Sequence, residues 1–76
     1  MTANNTALVS ALVASVLHLP EGAVGADASM ENLAQWDSLE HVNICFAFQE
    51  QFGVNLDMET IANSTSVAKL AAQLPN

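Results

Sequence analysis

Between Asp37 and Gly53 the apolar residues Ile44, Phe48 and Phe52 return at every fourth position, with Cys45 beside them. A strand turns alternate residues to opposite faces and cannot gather positions 44, 45, 48 and 52 on one side, whereas a helix does so by its period. The same period runs through Leu8, Val9, Leu12, Val13, Val16 and Leu17, with Ser10 and Ser15 on the polar side. It returns in Val67, Leu70, Ala71 and Leu74. No segment alternates as a strand would. The pattern predicts an all-α fold, a small antiparallel four-helix bundle with three main helices and one short one.

Local punctuation sets the expected boundaries. Helix one runs from Thr6 to Leu19 and is stopped by Pro20-Glu21-Gly22, because proline cannot continue a helix. Asp37 followed by Glu40 makes a capping-box-like start for helix two, and both carboxylates favour its positive end. Gly53 is its expected stop. A short helical turn is predicted around Met58 to Ala62, with Leu56 and Ile61 inward, and Thr65 or Ser66 caps the last helix before Pro75 ends it. Residues 20–36 form a long loop between helices one and two. Val24, Met30 and Leu33 should tack that loop onto the core, and ordered loops of this length are often functional.

Composition limits what such a bundle can be. With 76 residues the chain is expected to be one domain, 1–76, near the lower size limit for an unaided core. Its hydrophobic fraction of 51% is mostly Ala, Leu and Val, with three Phe, one Trp and no Tyr. Helices must therefore pack closely for a marginal stability. The single Cys45 rules out an internal disulfide framework. Eight acidic residues face one base, Lys69, for a net charge of −7. Such a chain cannot neutralise nucleic-acid phosphates, and an anionic membrane surface would repel it. Charged partners should be basic. "TALVSALVASVLHL" with "AVGA" beyond it is the only stretch shaped like a targeting segment, but it has no basic start and is too short to span a membrane. The sequons at Asn4 and Asn63 then carry little weight, and a cytoplasmic location is expected.

"QWDSLEHVN", residues 35–43, places Ser38 where helix two begins. Taken alone, a serine there is most often only a cap. Ser38 and His41 are three apart and could meet with Asp37 in a hydrolase-like set, although neither an oxyanion site nor a substrate pocket is evident. His41 and Cys45, four apart, could share a metal only with further ligands, of which His18 is the one good candidate. The simpler expectation is no catalytic residue and no metal, with His41 on the surface and Cys45 in the core.

A larger pattern surrounds the serine. "LAQWDSLEHVNICFAFQEQFGVNL", followed at the expected distance by "STSVAKLAAQL", resembles the acyl carrier proteins of fatty acid and polyketide synthesis over nearly the whole chain. The resemblance implies that Ser38 carries a 4′-phosphopantetheine arm, joined as a phosphodiester by a separate phosphopantetheinyl transferase using coenzyme A and magnesium. The arm's thiol holds an acyl group as a thioester, and Asp37 and Leu39 complete the motif that the transferase reads. A phosphodiester at a helix start also suits the positive end of the macrodipole, although Asp37 opposes it and needs another reason, such as capping.

The same resemblance implies a partner surface on helix two at Leu39, Glu40, Val42, Asn43, Phe46, Gln49 and Glu50. Asn43 and Gln49 depart from the family's frequent carboxylates, which points to a dedicated pathway with its own acyl-loading ligase or transferase and its own synthase or condensing enzymes. Helical phase leaves Phe46 open, either flanking the core under the loop or exposed as an anchor. Trp36, where many fatty-acid carriers have a small residue, is expected to pin the loop. Cys45, Phe48, Leu56, Ile61 and Ala62 are the candidates for lining an acyl site, and a core at normal density leaves no void for a long chain unless the helices part. The chain is thus expected to be a free-standing, monomeric acyl carrier and not an enzyme. An aminoacyl or peptidyl carrier is the nearest alternative, though such carriers usually have glycine before the motif. An unmodified helical interaction module is the alternative from another class.

Overall fold

A computed structural model describes residues 2–20 and 22–75, with side chains from residue 5 onward. It consists of four helices: α1, Thr2–Val16; α2, Ser38–Phe52; α3, Met58–Asn63; and α4, Val67–Ala71. The all-α bundle with a long first connection is therefore observed. Two helices are long, however, and two are short. Beyond Ala71 the chain tightens into turns, with Gln73 N–H donating to the Leu70 carbonyl and Leu74 N–H to that of Ala71. Leu74 still packs on the core, but from a turn.

α1 is the spine, packing on α2 and on α4. It presents Val9, Leu12, Val13 and Ala14, with Leu17 just beyond its end, to a core completed by Ile44, Cys45 and Phe48 of α2 and Val67, Leu70 and Ala71 of α4. Leu8 is exposed instead of lying in the stripe. It stands roughly 100° around the helix from Val9, at the edge of the face. Ala14 joins the core because the chain folds back over it.

That reversal ends α1 earlier than the proline does. His18 takes the left-handed conformation, with φ of 58°. Its N–H donates to the Ser15 carbonyl, and Leu19 N–H reaches back five residues to the Ala14 carbonyl at 2.8 Å. This pair of bonds is the Schellman arrangement, which turns orphan carbonyls inward and brings Leu19 down beside Ala14. Pro20 follows the stop, and Glu21 of the expected Pro-Glu-Gly signal lies outside the described residues.

The long loop is fastened as well as packed. Val24, Ala28 and Trp36 are buried, while Met30 and Leu33 are partly so. Met30 N–H donates to the Thr65 carbonyl and Val67 N–H to that of Ala28, both at 3.0 Å. Together they make an isolated antiparallel bridge between Ser29 and Ser66. Asn32 folds the intervening turn by accepting from Ser29 N–H and donating to the Asp27 carbonyl. Among the described residues no helix is long and apolar enough to cross a membrane.

Candidate functional site

α2 begins as its sequence dictates. Asp37 is extended, with φ of −98° and ψ of −176°, and its carboxylate accepts from Glu40 N–H at 2.9 Å. A cap of this kind contributes about 1 kcal/mol. Glu40 turns its own carboxylate to Asn43, whose Nδ2 donates at 3.2 Å. Ser38 is the first helical residue and is exposed, as are Asp37 and Leu39. Among the described residues Ser38 Oγ makes no hydrogen bond, and the N–H groups of Ser38 and Leu39 meet no acceptor. These donors, with the aligned peptide dipoles behind them, make the start of α2 a positive end open to solvent.

Directly beneath the exposed serine lies a buried polar hub. His41 is buried, not on the surface as its polarity led us to expect. Indole N–H groups only donate, so Trp36 Nε1 gives its hydrogen to His41 Nδ1 at 3.0 Å. The neutral ring then carries its own hydrogen on Nε2, which donates to the Ile61 carbonyl of α3 at 2.7 Å. The two rings lie 5.9 Å apart and 31° from parallel. One imidazole thus joins the loop before the serine, the serine's own helix and α3. Its phase contained the signal: 41, 44, 45 and 48 fall on one helical face. Both ring nitrogens are committed, so the Ser38–His41 pairing of a hydrolase is not the arrangement seen. Cys45 Sγ lies 3.6 Å from Nε2, at the bottom of the same face. Burial pushes the Cys45 thiol up to about 11, which makes it a core residue and not a nucleophile.

α3 is held by polar tethers more than by packing, for none of its side chains is buried. Asp57 caps it by accepting from Thr60 N–H at 2.7 Å. Besides the His41 bond, Gln49 Oε1 accepts from Leu56 N–H at 2.7 Å, fixing the segment that leads into α3. Gln49, expected on the partner surface, is therefore half-buried and spends its carboxamide oxygen internally. Sequence reasoning had no signal for this, since a glutamine in a helix reads as surface. Gly53, left-handed with φ of 67°, ends α2 as expected and donates its N–H to the Gln49 carbonyl.

The candidates for an acyl lining separate by depth. Cys45 and Phe48 are fully buried, and Phe48 stacks edge-on to Phe52 with ring centres 5.0 Å apart. Leu56 and Ile61 are half-buried, and Ala62 is exposed. On the opposite side of α2, Leu39, Val42 and Phe46 stand out at 73%, 42% and 60% exposure. Their spacing of three and four makes one apolar stripe beginning next to Ser38. Phe46 is therefore exposed, the alternative that helical phase left open. Glu40, Asn43 and Glu50 supply polar positions on the same helix.

Comparison with curated proteins finds no match. Comparison with protein families finds one, described as the phosphopantetheine attachment site, over residues 7–74, and so over all four helices except the first five residues of α1. The chain belongs to that family, whose domains carry a 4′-phosphopantetheine prosthetic group and serve as carriers.

Proposed function

We propose that residues 1–76 are a single acyl-carrier domain in which Ser38 bears the 4′-phosphopantetheine. The observation that carries this reading is the exposed Ser38 at the first position of α2, beside two backbone N–H groups that no other group among the described residues uses. A phosphate ester there would gain from those donors and from the helix dipole. The Asp37 carboxylate opposes that anion, but it is engaged in capping Glu40 and remains exposed to solvent, where its repulsion is screened. When bound, the group supplies a flexible arm ending in a thiol, on which an acyl group is held as a thioester. The protein's part is to present Ser38 on a rigid helix start, and Trp36 and His41 brace that start from beneath.

Partner enzymes, first the phosphopantetheinyl transferase and then an acyl-loading ligase or transferase and a synthase or condensing enzyme, would read the outer face of α2. Leu39, Val42 and Phe46 offer the apolar contact, and Glu40 and Glu50 the charge that draws a basic partner. Asn43 pairs with Glu40, so it acts through that carboxylate. Trp36 in place of glycine before the motif favours an acyl over an aminoacyl or peptidyl cargo.

The test is intact mass after incubation with coenzyme A, magnesium and a broad-specificity phosphopantetheinyl transferase. The wild type should gain one arm and Ser38→Ala none. No gain on the folded wild type would favour the unmodified interaction module. Phe46→Ala should accept the arm normally, because the side chain is exposed and its loss should change stability by under about 0.5 kcal/mol. It should slow acyl loading by the cognate enzyme, and unchanged loading kinetics would remove Phe46 from the partner surface.

A further inference from the structure

The inward face of α2 leads from Ser38 through His41 to Cys45 and Phe48, at steps of three and four residues. It joins the exposed serine to the apolar interior along one helix. An alkyl group tethered at Ser38 would gain by following it, since each methylene removed from water is favourable. His41 stands across that route, buried, with both ring nitrogens bonded. Its neighbours close the opening from either side: Trp36, only 1% exposed, from the loop and the Ile61 carbonyl from α3. Behind it Ile44, Cys45 and Phe48 are all fully buried, so the interior beyond the ring is filled by the protein's own side chains.

Resting on the assignment of the arm to Ser38, we infer that His41 is a specificity-determining residue: a polar gate that keeps the cargo out of the bundle and fits the carrier to short or polar acyl groups. To enter, an alkyl chain must part α3 from α2. That would leave the His41 Nε2–H and the Ile61 carbonyl without partners in apolar surroundings, which is costly in a buried network. The second tether, Gln49 to Leu56 N–H, resists the same motion from the far end of α2. A short or polar group has too little to gain inside to offset those losses. Outside, the Leu39–Val42–Phe46 stripe is open to a cargo that stays at the surface.

The test uses a broad-specificity phosphopantetheinyl transferase with magnesium to load Ser38 from acetyl- and octanoyl-coenzyme A, and compares the two products by mass and by NMR. The one tryptophan supplies one indole N–H resonance to report on the gate. In the wild type, the octanoyl and acetyl forms should share that resonance, the same amide positions at Cys45, Phe48 and Ile61, and the same melting temperature. His41→Ala should admit the octanoyl chain, shifting the Cys45 and Phe48 amides and raising the melting temperature above that of its acetyl form. His41→Gln, which can still accept from Trp36 and donate to Ile61, should restore exclusion. If His41→Ala does not fold, His41→Thr takes its place as the opened variant. Octanoyl-dependent shifts at Cys45, Phe48 and Ile61 in the wild type would overturn the gate, as would continued exclusion in the opened variant. Absence of any mass gain on the wild type would instead bring down the carrier assignment itself.

Discussion

Replacing Trp36 with phenylalanine tests whether the hub holds the fold as the structure implies. The substitution keeps an aromatic ring in the site but removes the indole N–H and part of the ring system. His41 Nδ1 then becomes a buried acceptor with no donor, where it now receives one at 3.0 Å. Leaving such a group unsatisfied costs about 1–2 kcal/mol. The smaller ring also leaves unfilled volume at a residue that is 1% exposed, adding about 1–2 kcal/mol for lost transfer and imperfect collapse. The expected total is about 2–4 kcal/mol, against roughly 4–11 kcal/mol for a domain of this size. At about 4–8 °C per kcal/mol, the melting temperature should fall by roughly 8–32 °C.

Thermal and urea unfolding followed by helical circular dichroism measure this directly. A double-mutant cycle with His41→Leu isolates the bond. Once the acceptor is gone, removing the donor should cost about 1 kcal/mol less than it does alone. A Trp36→Phe loss below about 0.5 kcal/mol, or additive single losses, would show that the indole and imidazole do not depend on each other. The hub would then be a contact without energetic content.

Three further outcomes follow from local features. His18 is the one described non-glycine residue with positive φ, so His18→Gly should relieve strain and raise stability by about 0.5–1 kcal/mol in urea titration; a loss would mean the imidazole makes a compensating contact. The Asp57 carboxyl is held below its ordinary 3.8 by hydrogen bonds from Thr60, the side chain first and the backbone N–H second. Its help to α3 is therefore present above that ordinary value and is lost as pH falls through the lowered one, so Thr60 and Ile61 amide protection should weaken only in acid, and early weakening near neutrality would refute the cap. Cys45 is fully buried with a thiol raised to about 11, and iodoacetamide should label it at least about 100-fold more slowly in the folded protein than in urea; comparable rates would place it at the surface.

What the sequence made legible is what local chemistry decides. Asp37 and Gly53 bound α2 because a carboxylate cap and a left-handed stop act within a few residues of themselves. Ser66 proved to be the cap of α4 for the same reason, with its Oγ accepting from Lys69 N–H. The end of α1 was placed too late because a proline is visible, whereas a histidine in a left-handed turn carries no signal. The Ser29–Ser66 bridge joins segments far apart in the chain and leaves no periodicity to read. His41 was misplaced by weighing polarity above phase. Its helical position already put it with Ile44, Cys45 and Phe48, and what could not be read was the donor from Trp36 that makes burying it tolerable. Gln49 was misread in the same way, since its partner is a backbone N–H seven residues on.

The two faces of α2 divide the labour of the domain. Inward, His41, Ile44, Cys45 and Phe48 bind the helix to the loop, to α3 and to the core. Outward, Leu39, Val42 and Phe46 are exposed, and Ser38 is exposed at the helix start, so these side chains are less constrained by the core. Substitutions should sort accordingly: inward changes move the melting temperature, and outward changes leave it within about 0.5 kcal/mol while altering modification or loading. Ser38 and His41 lie only three residues apart yet belong to different sets. That spacing lets an exposed serine be braced by a buried ring whose two nitrogens are both bonded elsewhere. The brace also reaches α3 through the Ile61 carbonyl, so a partner that displaces α3 would loosen Trp36, two residues before the serine. Any change in Ser38's presentation on partner binding should then appear at the Trp36 indole first.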